Sequence, residues 1–160
     1  EEEPILSGDC YGTLSERLAE KGGRLVVRSL IDIAAGIAPR IPQNHAEAVL
    51  APMIQNEDAR IDWQRSAHDI HNLVRALNPI PGAFTSFQGK RWKILRTDIL
   101  EEKPGIPGTV AGTEFNTIRV FAADRVVEIL ELQPEGKKPM TAASFLRGYT
   151  VPTGASFDTP

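Results

Sequence analysis

Much that would place a chain of 160 residues in a class is scarce in this one. It has a single cysteine, Cys10, so no internal disulfide can form, which fits a reducing compartment. With only Asp9 and Tyr11 beside it, Cys10 lacks the cationic support of a reactive thiolate and reads as a small semi-buried thiol. No apolar run approaches the roughly 20 residues that span a bilayer, so a membrane protein is not expected. Aromatic residues are 6% of the chain and the net charge is −3, far from the loud basic excess of an average nucleic-acid-binding domain. Glycine-rich phosphate loops, nucleophile elbows and zinc spacings are missing. The histidines are His45, His68 and His71. His68 and His71 stand at i, i+3 on a predicted helix, yet no cysteine is near and Asp69 faces elsewhere, so ordinary helix histidines are the better reading. Nothing in the chain makes a catalytic constellation.

What is present is a globular composition, 41% hydrophobic and 24% charged, enough for one medium domain or one small domain with an appendage. Charge is unevenly spread. Residues 1–58 hold ten Asp/Glu against five Lys/Arg, a net −5, whereas the remainder holds 13 Lys/Arg against 11 Asp/Glu, a net +2. The acidic start, Glu1-Glu2-Glu3, has no initiator methionine and is the opposite of a signal peptide's basic n-region; it reads as a cut inside a longer protein.

Thr13-Leu14-Ser15-Glu16 fits a capping box. It opens a helix to about Lys21, interrupted by Gly22-Gly23 and resumed to about Ala35 before Gly36. Residues 37–60, with three prolines and little periodicity, read as a linker. Ser66 is the expected N-cap of a helix whose apolar face is Ile70, Leu73, Val74 and Leu77. Asn78-Pro79-Ile80-Pro81-Gly82 must break it. The pattern then becomes β: Phe84–Phe87, a Gln88-Gly89 turn, and Arg91–Thr97 with Trp92, Ile94 and Arg96 on one face. Thr109–Ala111, Thr117–Ala122 and Val126–Leu132 are further strands, with Ala123-Asp124 as a tight turn. Thr141–Leu146 is a short helix capped by Thr141 that would close one barrel end. The end of the chain, with Pro152, Gly154 and Pro160, is expected to fray. The expected fold is mainly β within an α+β arrangement: a small Greek-key, OB-like β-barrel with flanking helices.

Three basic groupings stand out. Arg60 lies beside Asp62 and Trp63; Arg60 could meet a phosphate and Trp63 stack a base, or Asp62 and Trp63 could fasten linker to helix by a cap and buried aromatic surface. The second option is preferred for Asp62 and Trp63. In Lys90-Arg91-Trp92-Lys93, strand alternation is expected to set Arg91 on a different face from Lys90 and Lys93. Such cations serve equally as an RNA contact or as protection of a sheet edge. Lys137-Lys138 sits in an exposed Gly/Pro-bounded loop, free to reach phosphate or simply to solubilise.

Several ordered blocks resemble a known family. Glu57 to Trp63, followed by Ile70-His71-Asn72-Leu73-Val74-Arg75-Ala76-Leu77-Asn78-Pro79-Ile80-Pro81-Gly82-Ala83, is similar to the linker and first C-terminal helix of methionyl-tRNA formyltransferases. Gly89-Lys90, Lys93-Ile94 and Pro107-Gly108-Thr109-Val110 resemble its early strands. Leu130 to Met140 and Phe145-Leu146-Arg147-Gly148 resemble its barrel-closing segment and last helix. Upstream, Tyr11-Gly12-Thr13-Leu14 and Leu18-Ala19 resemble the last helices of its catalytic domain. The resemblance runs to about Tyr149.

It implies residues 1–36 as the helical remnant of a truncated α/β formyl-transfer domain, 37–60 as linker, 61–149 as an OB-like domain and 150–160 as a tail. It implies a parent enzyme that moves a formyl group from 10-formyltetrahydrofolate to methionyl initiator tRNA in the cytoplasm of a bacterium, or in an organelle. The family's catalytic Asn, His and Asp have no counterparts here, so the fragment itself is expected to carry no catalytic, cofactor or metal site. Its expected partners are initiator methionyl-tRNA and the missing catalytic domain, with no membrane and no oligomer. The expected tRNA-binding residues are Arg60, Lys90, Arg91, Lys93, Lys137 and Lys138. Met53 departs from the lysine that relatives carry in the linker. Other readings are a non-catalytic docking or nucleic-acid-binding module, or part of a formyltransferase with a different acceptor.

Overall fold

Gln88 and Gly89 both adopt left-handed backbone conformations, φ +52° and +74°. That pairing matches the right-handed twist of two flanking strands and closes a two-residue hairpin. Its arms are β1 (Ala83–Phe87) and β2 (Lys90–Leu100), paired antiparallel. The computed structural model describes residues 1–158. By backbone contact they fall into two units, Glu1–Ile54 and a second beginning at Gln55.

The first unit contains α1 (Tyr11–Ala34). Here two expectations are corrected. The helix starts earlier, with Cys10 at the N-cap and the Thr13 hydroxyl accepting the Cys10 amide at 3.1 Å from inside the first turn. Gly22-Gly23 do not interrupt it, since the i to i−4 ladder needs only backbone and the glycine penalty is about 1 kcal/mol each. No α1 residue is buried. What ties the start of the chain to it is polar. Arg17 makes a bidentate pair with Asp9 at 2.6 and 2.7 Å and reaches Glu3 at 2.8 Å, while Lys21 meets Glu3 at 2.6 Å. Asp9 also accepts the Leu6 amide, and these donors hold its carboxyl well below the usual range.

The second unit is built on α2 (Ala67–Leu77), β1, β2, β3 (Val110–Gly112), β4 (Ile118–Phe121), β5 (Val126–Pro134), β6 (Met140–Thr141), α3 (Ala142–Leu146) and β7 (Phe157–Asp158). The order across the antiparallel sheet is β3-β4-β5-β2-β1-β7, with β6 on β5. This is the mainly β, OB-like architecture expected. Ser66 caps α2 by accepting the Asp69 amide at 3.1 Å, and Ile70, Val74 and Leu77 enter the core. Asp124, in the β4–β5 turn, accepts the Ala67 amide at 2.7 Å and fixes the helix start to the sheet.

The face expected for β2 holds through Ile94 and then breaks. The register shifts around Arg96, so Leu95 and Thr97 turn inward and Arg96 is exposed against Glu131 at 3.0 Å. A bulge lets the strand keep a charged side chain in water while continuing its pairing. The fraying expected at the chain's end is also overturned. Val151 and Phe157 are buried, β7 pairs with β1, and backbone hydrogen bonds join 154–157 to 108–110. The C-terminal segment therefore bridges the two edges of the curled sheet, because Phe157 packs within 6 Å of Trp63, Phe87 and Trp92. Pro160 lies outside the described residues.

Candidate nucleic-acid interface

Trp63 is fully buried, and its indole N–H donates to the Thr85 hydroxyl at 3.1 Å. It is a core anchor and no stacking platform. Asp62 accepts the Gln64 amide at 3.0 Å, a local turn, while the helix cap belongs to Ser66. Arg60 extends the sheet instead: it forms a parallel bridge with Phe84, and the Ile61 amide donates to the Phe84 carbonyl at 2.7 Å. The end of the segment read from sequence as linker is therefore part of the second unit, with Ala59 buried and Arg60 bridged to β1.

The Phe84 ring marks the centre of an outward face. The Arg91 guanidinium lies 3.5 Å over it, a cation–π stack, and donates to Asn56 Oδ1 at 3.2 Å. Its Nε is buried and has no acceptor among the described residues. The register sets Phe84 opposite Lys93 and Ser86 opposite Arg91. The expected separation of Arg91 from Lys93 is therefore corrected: a two-residue period puts them on the same face, and both line a cleft of about 520 Å³ with Asn56, Pro81, Gln133 and Glu135. Arg60 lines a neighbouring cleft of about 920 Å³ together with Arg65, Phe84 and several carboxylates, among them Asp58 and Asp62.

Lys90 takes the other side of the hairpin, in a third cavity with Lys137. The turn carrying Lys137 and Lys138 is drawn to the hairpin by backbone, since the Glu135 amide donates to the Arg91 carbonyl at 2.9 Å. Lys138 is exposed and lines none of these cavities. Arg65 and Asn56 were not singled out in the sequence; the fold brings them to the side of the sheet where the β1 alternation places Phe84.

Charge balance separates the two ends of the sheet. Away from the hairpin tip, Arg96 pairs with Glu131, Arg119 with Glu102 and Glu128, and Arg125 with Glu101. Near the tip, Lys90, Arg91, Lys93, Lys137 and Lys138 make no ion pair among the described residues. Cations without a carboxylate partner, gathered at one end of the sheet, suit a polyanion. His68 and His71 do not converge: His68 meets Asn72 and His71 meets Thr97, each at 3.0 Å. Half-burial and the charge of Arg75 lower the His71 pKa from its ordinary value. Among the described residues no group of three or more His, Cys, Asp or Glu is placed to hold a metal ion, and no helix is long and apolar enough to cross a membrane.

Comparison with known proteins bears on this arrangement. A family model described as the formyl transferase C-terminal domain matches residues 53–150. The chain is similar to the methionyl-tRNA formyltransferase of Carboxydothermus hydrogenoformans, 42% identical over 92% of this chain and 48% of that protein. It is 44% identical to that of Methylacidiphilum infernorum, over 94% of this chain and 48% of the relative. The chain spans about half the length of the curated relatives it matches. Among solved structures, a variant of HypX from Aquifex aeolicus superposes with a TM-score of 0.67 at 21% identity, covering 91% of this chain and 27% of that one. HypX in complex with tetrahydrofolic acid gives 0.58 at 23% identity, over 76% and 22%. At that identity these two establish a shared fold alone.

Proposed function

The chain belongs to the formyl transferase C-terminal domain family, as the C-terminal region of the methionyl-tRNA formyltransferases, and from that premise we propose that it is the part of such an enzyme that grips tRNA. The observation that carries this reading is the Phe84 face. An outward aromatic ring lies under Arg91, with Lys93 beside it and no carboxylate paired to either cation among the described residues.

In this reading the whole enzyme transfers a formyl group from 10-formyltetrahydrofolate to the methionyl group on initiator tRNA, in the cytoplasm of a bacterium or in an organelle, as a monomer. This region contributes binding and no catalytic group. Arg91 and Lys93 contact phosphates on one side of the hairpin, Lys90, Lys137 and Lys138 on the other, and Arg60 extends the track. Residues 1–36 are the end of the formyl-transfer domain and 37–54 the linker, which ends where the second unit begins at Gln55, with Met53 supplying no cation to it. The apolar side chains exposed along α1, Val27, Leu30, Ile31 and Ile33 among them, are each about 60% open and favour a supporting role as well, in which this helix packs against the remainder of the full-length enzyme.

The test is a titration of fluorescent initiator tRNA with the chain at several salt concentrations. Contact with several phosphates predicts a log–log salt slope of roughly −2 or steeper. Replacing Arg91 and Lys93 by alanine should make it shallower by about 1.5. No binding even at low salt would leave support of the catalytic half as the function.

A further inference from the structure

The cavity beside the hairpin tip differs in character from the two charged clefts. Its volume is about 370 Å³, and its walls include Trp92, Met140, Phe145 and Tyr149. The rings are held in place. Phe145, in α3, and Tyr149, just beyond its end, stack at 4.8 Å and 26° between planes, and the Trp92 ring meets both edge-on at 4.9 and 5.8 Å. The Tyr149 hydroxyl donates to Gln88 Oε1 at 3.0 Å, which fixes the far end of its ring to the hairpin turn. Trp92 is 1% exposed and serves as bracing, whereas Tyr149 and Met140 are only partly buried and form the surface a ligand would meet.

Three cations surround this apolar surface. Lys90 and Lys137 line the cavity, and Arg147 reaches its rim by donating to the Oγ of Ser144, another lining residue, at 3.0 Å. None of the three makes an ion pair among the described residues, and Glu135, the one carboxylate in the lining, accepts the Arg91 amide at 3.2 Å. An apolar slot alone would suit many side chains; one ringed by uncompensated cations selects a flat aromatic group carrying negative charge.

We propose that this cavity receives one unpaired nucleotide, its base against Tyr149 and Met140 and its phosphate among Lys90, Lys137 and Arg147. The inference rests on the tRNA-binding reading for its natural source, since single-stranded RNA is recognised by splaying a base onto an aromatic side chain. The same chemistry would accept a free nucleoside monophosphate. The pocket is separate from the Phe84 face and adds a base contact to a grip otherwise made of phosphate contacts.

Two arms decide it. In the first, initiator tRNA is titrated with the wild-type chain and with Tyr149→Ala, Tyr149→Leu, Tyr149→Phe and Lys90→Ala/Lys137→Ala, each first shown by circular dichroism to be folded. Loss of a stacked base predicts about tenfold weaker binding for the alanine and leucine variants with the salt slope unchanged. Tyr149→Phe should retain affinity, and the double lysine variant should flatten the slope by about 1.5. Wild-type binding that every pocket variant matches, while Arg91→Ala/Lys93→Ala loses it, overturns the pocket and leaves the tRNA grip standing. In the second arm, adenosine and uridine 5′-monophosphates are added at millimolar concentration while the ring resonances of Tyr149 and Phe145 are followed by NMR. Shifts confined to those rings support the pocket even where tRNA fails to bind, in which case the free nucleotide is the ligand. Unmoved rings together with absent tRNA binding overturn it.

Discussion

The two units of this chain are held by different physics. In Glu1–Ile54 no helical side chain is buried, and order comes from Arg17, Lys21, Glu3 and Asp9 clasping the chain's start to α1. From Gln55 onward the order is hydrophobic: Trp63, Phe87, Trp92 and Phe157 interlock at ring distances of 4.9 to 5.6 Å inside a curled sheet. The contrast is between a unit that buries an apolar core of its own and one whose helix leaves its apolar side chains exposed within the unit.

The sharpest way to break this contrast is Phe157→Ala. It removes the ring that locks the C-terminal bridge, and should destabilise the second unit by about 3–5 kcal/mol in urea denaturation followed by tryptophan fluorescence. A cost below about 1 kcal/mol would mean the bridge is dispensable. Thr85→Val probes the same core more gently. It deprives the buried Trp63 indole of its acceptor and should cost about 1–3 kcal/mol, read from the same transition midpoint.

In the first unit, Asp9→Asn should release residues 3–9, seen as faster amide exchange there, with the second unit's midpoint unmoved. A shift of that midpoint would show that the units are not energetically separate. The smallest effect concerns His71. Its folded pKa lies below 6.5, so the unfolded chain binds the proton more readily and stability must fall as pH drops from about 7 toward the folded value. The groups facing it are Arg75, Asp98 and His68. His71→Gln should flatten that slope in denaturation midpoints measured between pH 7 and 5.

Legibility in the sequence followed the range of the interactions. Ser66, the α2 stripe and the Gln88-Gly89 turn were readable because their hydrogen bonds close within four residues. The bulge at Arg96 was not, since it depends on which β5 residue stands opposite. Nor was the C-terminal bridge, where Pro152 and Gly154 signal a loop while Phe157 packs on rings far away in sequence. For the candidate site, the cations were visible as residue types. Their sorting was not: Arg91 stacks on Phe84 and Lys90 faces Tyr149 only because the hairpin register places them there. The early start of α1 was hidden because Thr13 acts from inside the first turn, a role composition cannot distinguish from a cap.

In the proposed function tRNA is gripped by the hairpin end of the second unit. Hydrogen exchange of the chain with and without saturating initiator tRNA tests it directly. Slowed exchange is expected in β1, β2 and the 134–138 turn, with α1 unchanged. Protection confined to α1, or none anywhere on a chain shown to bind, would contradict it.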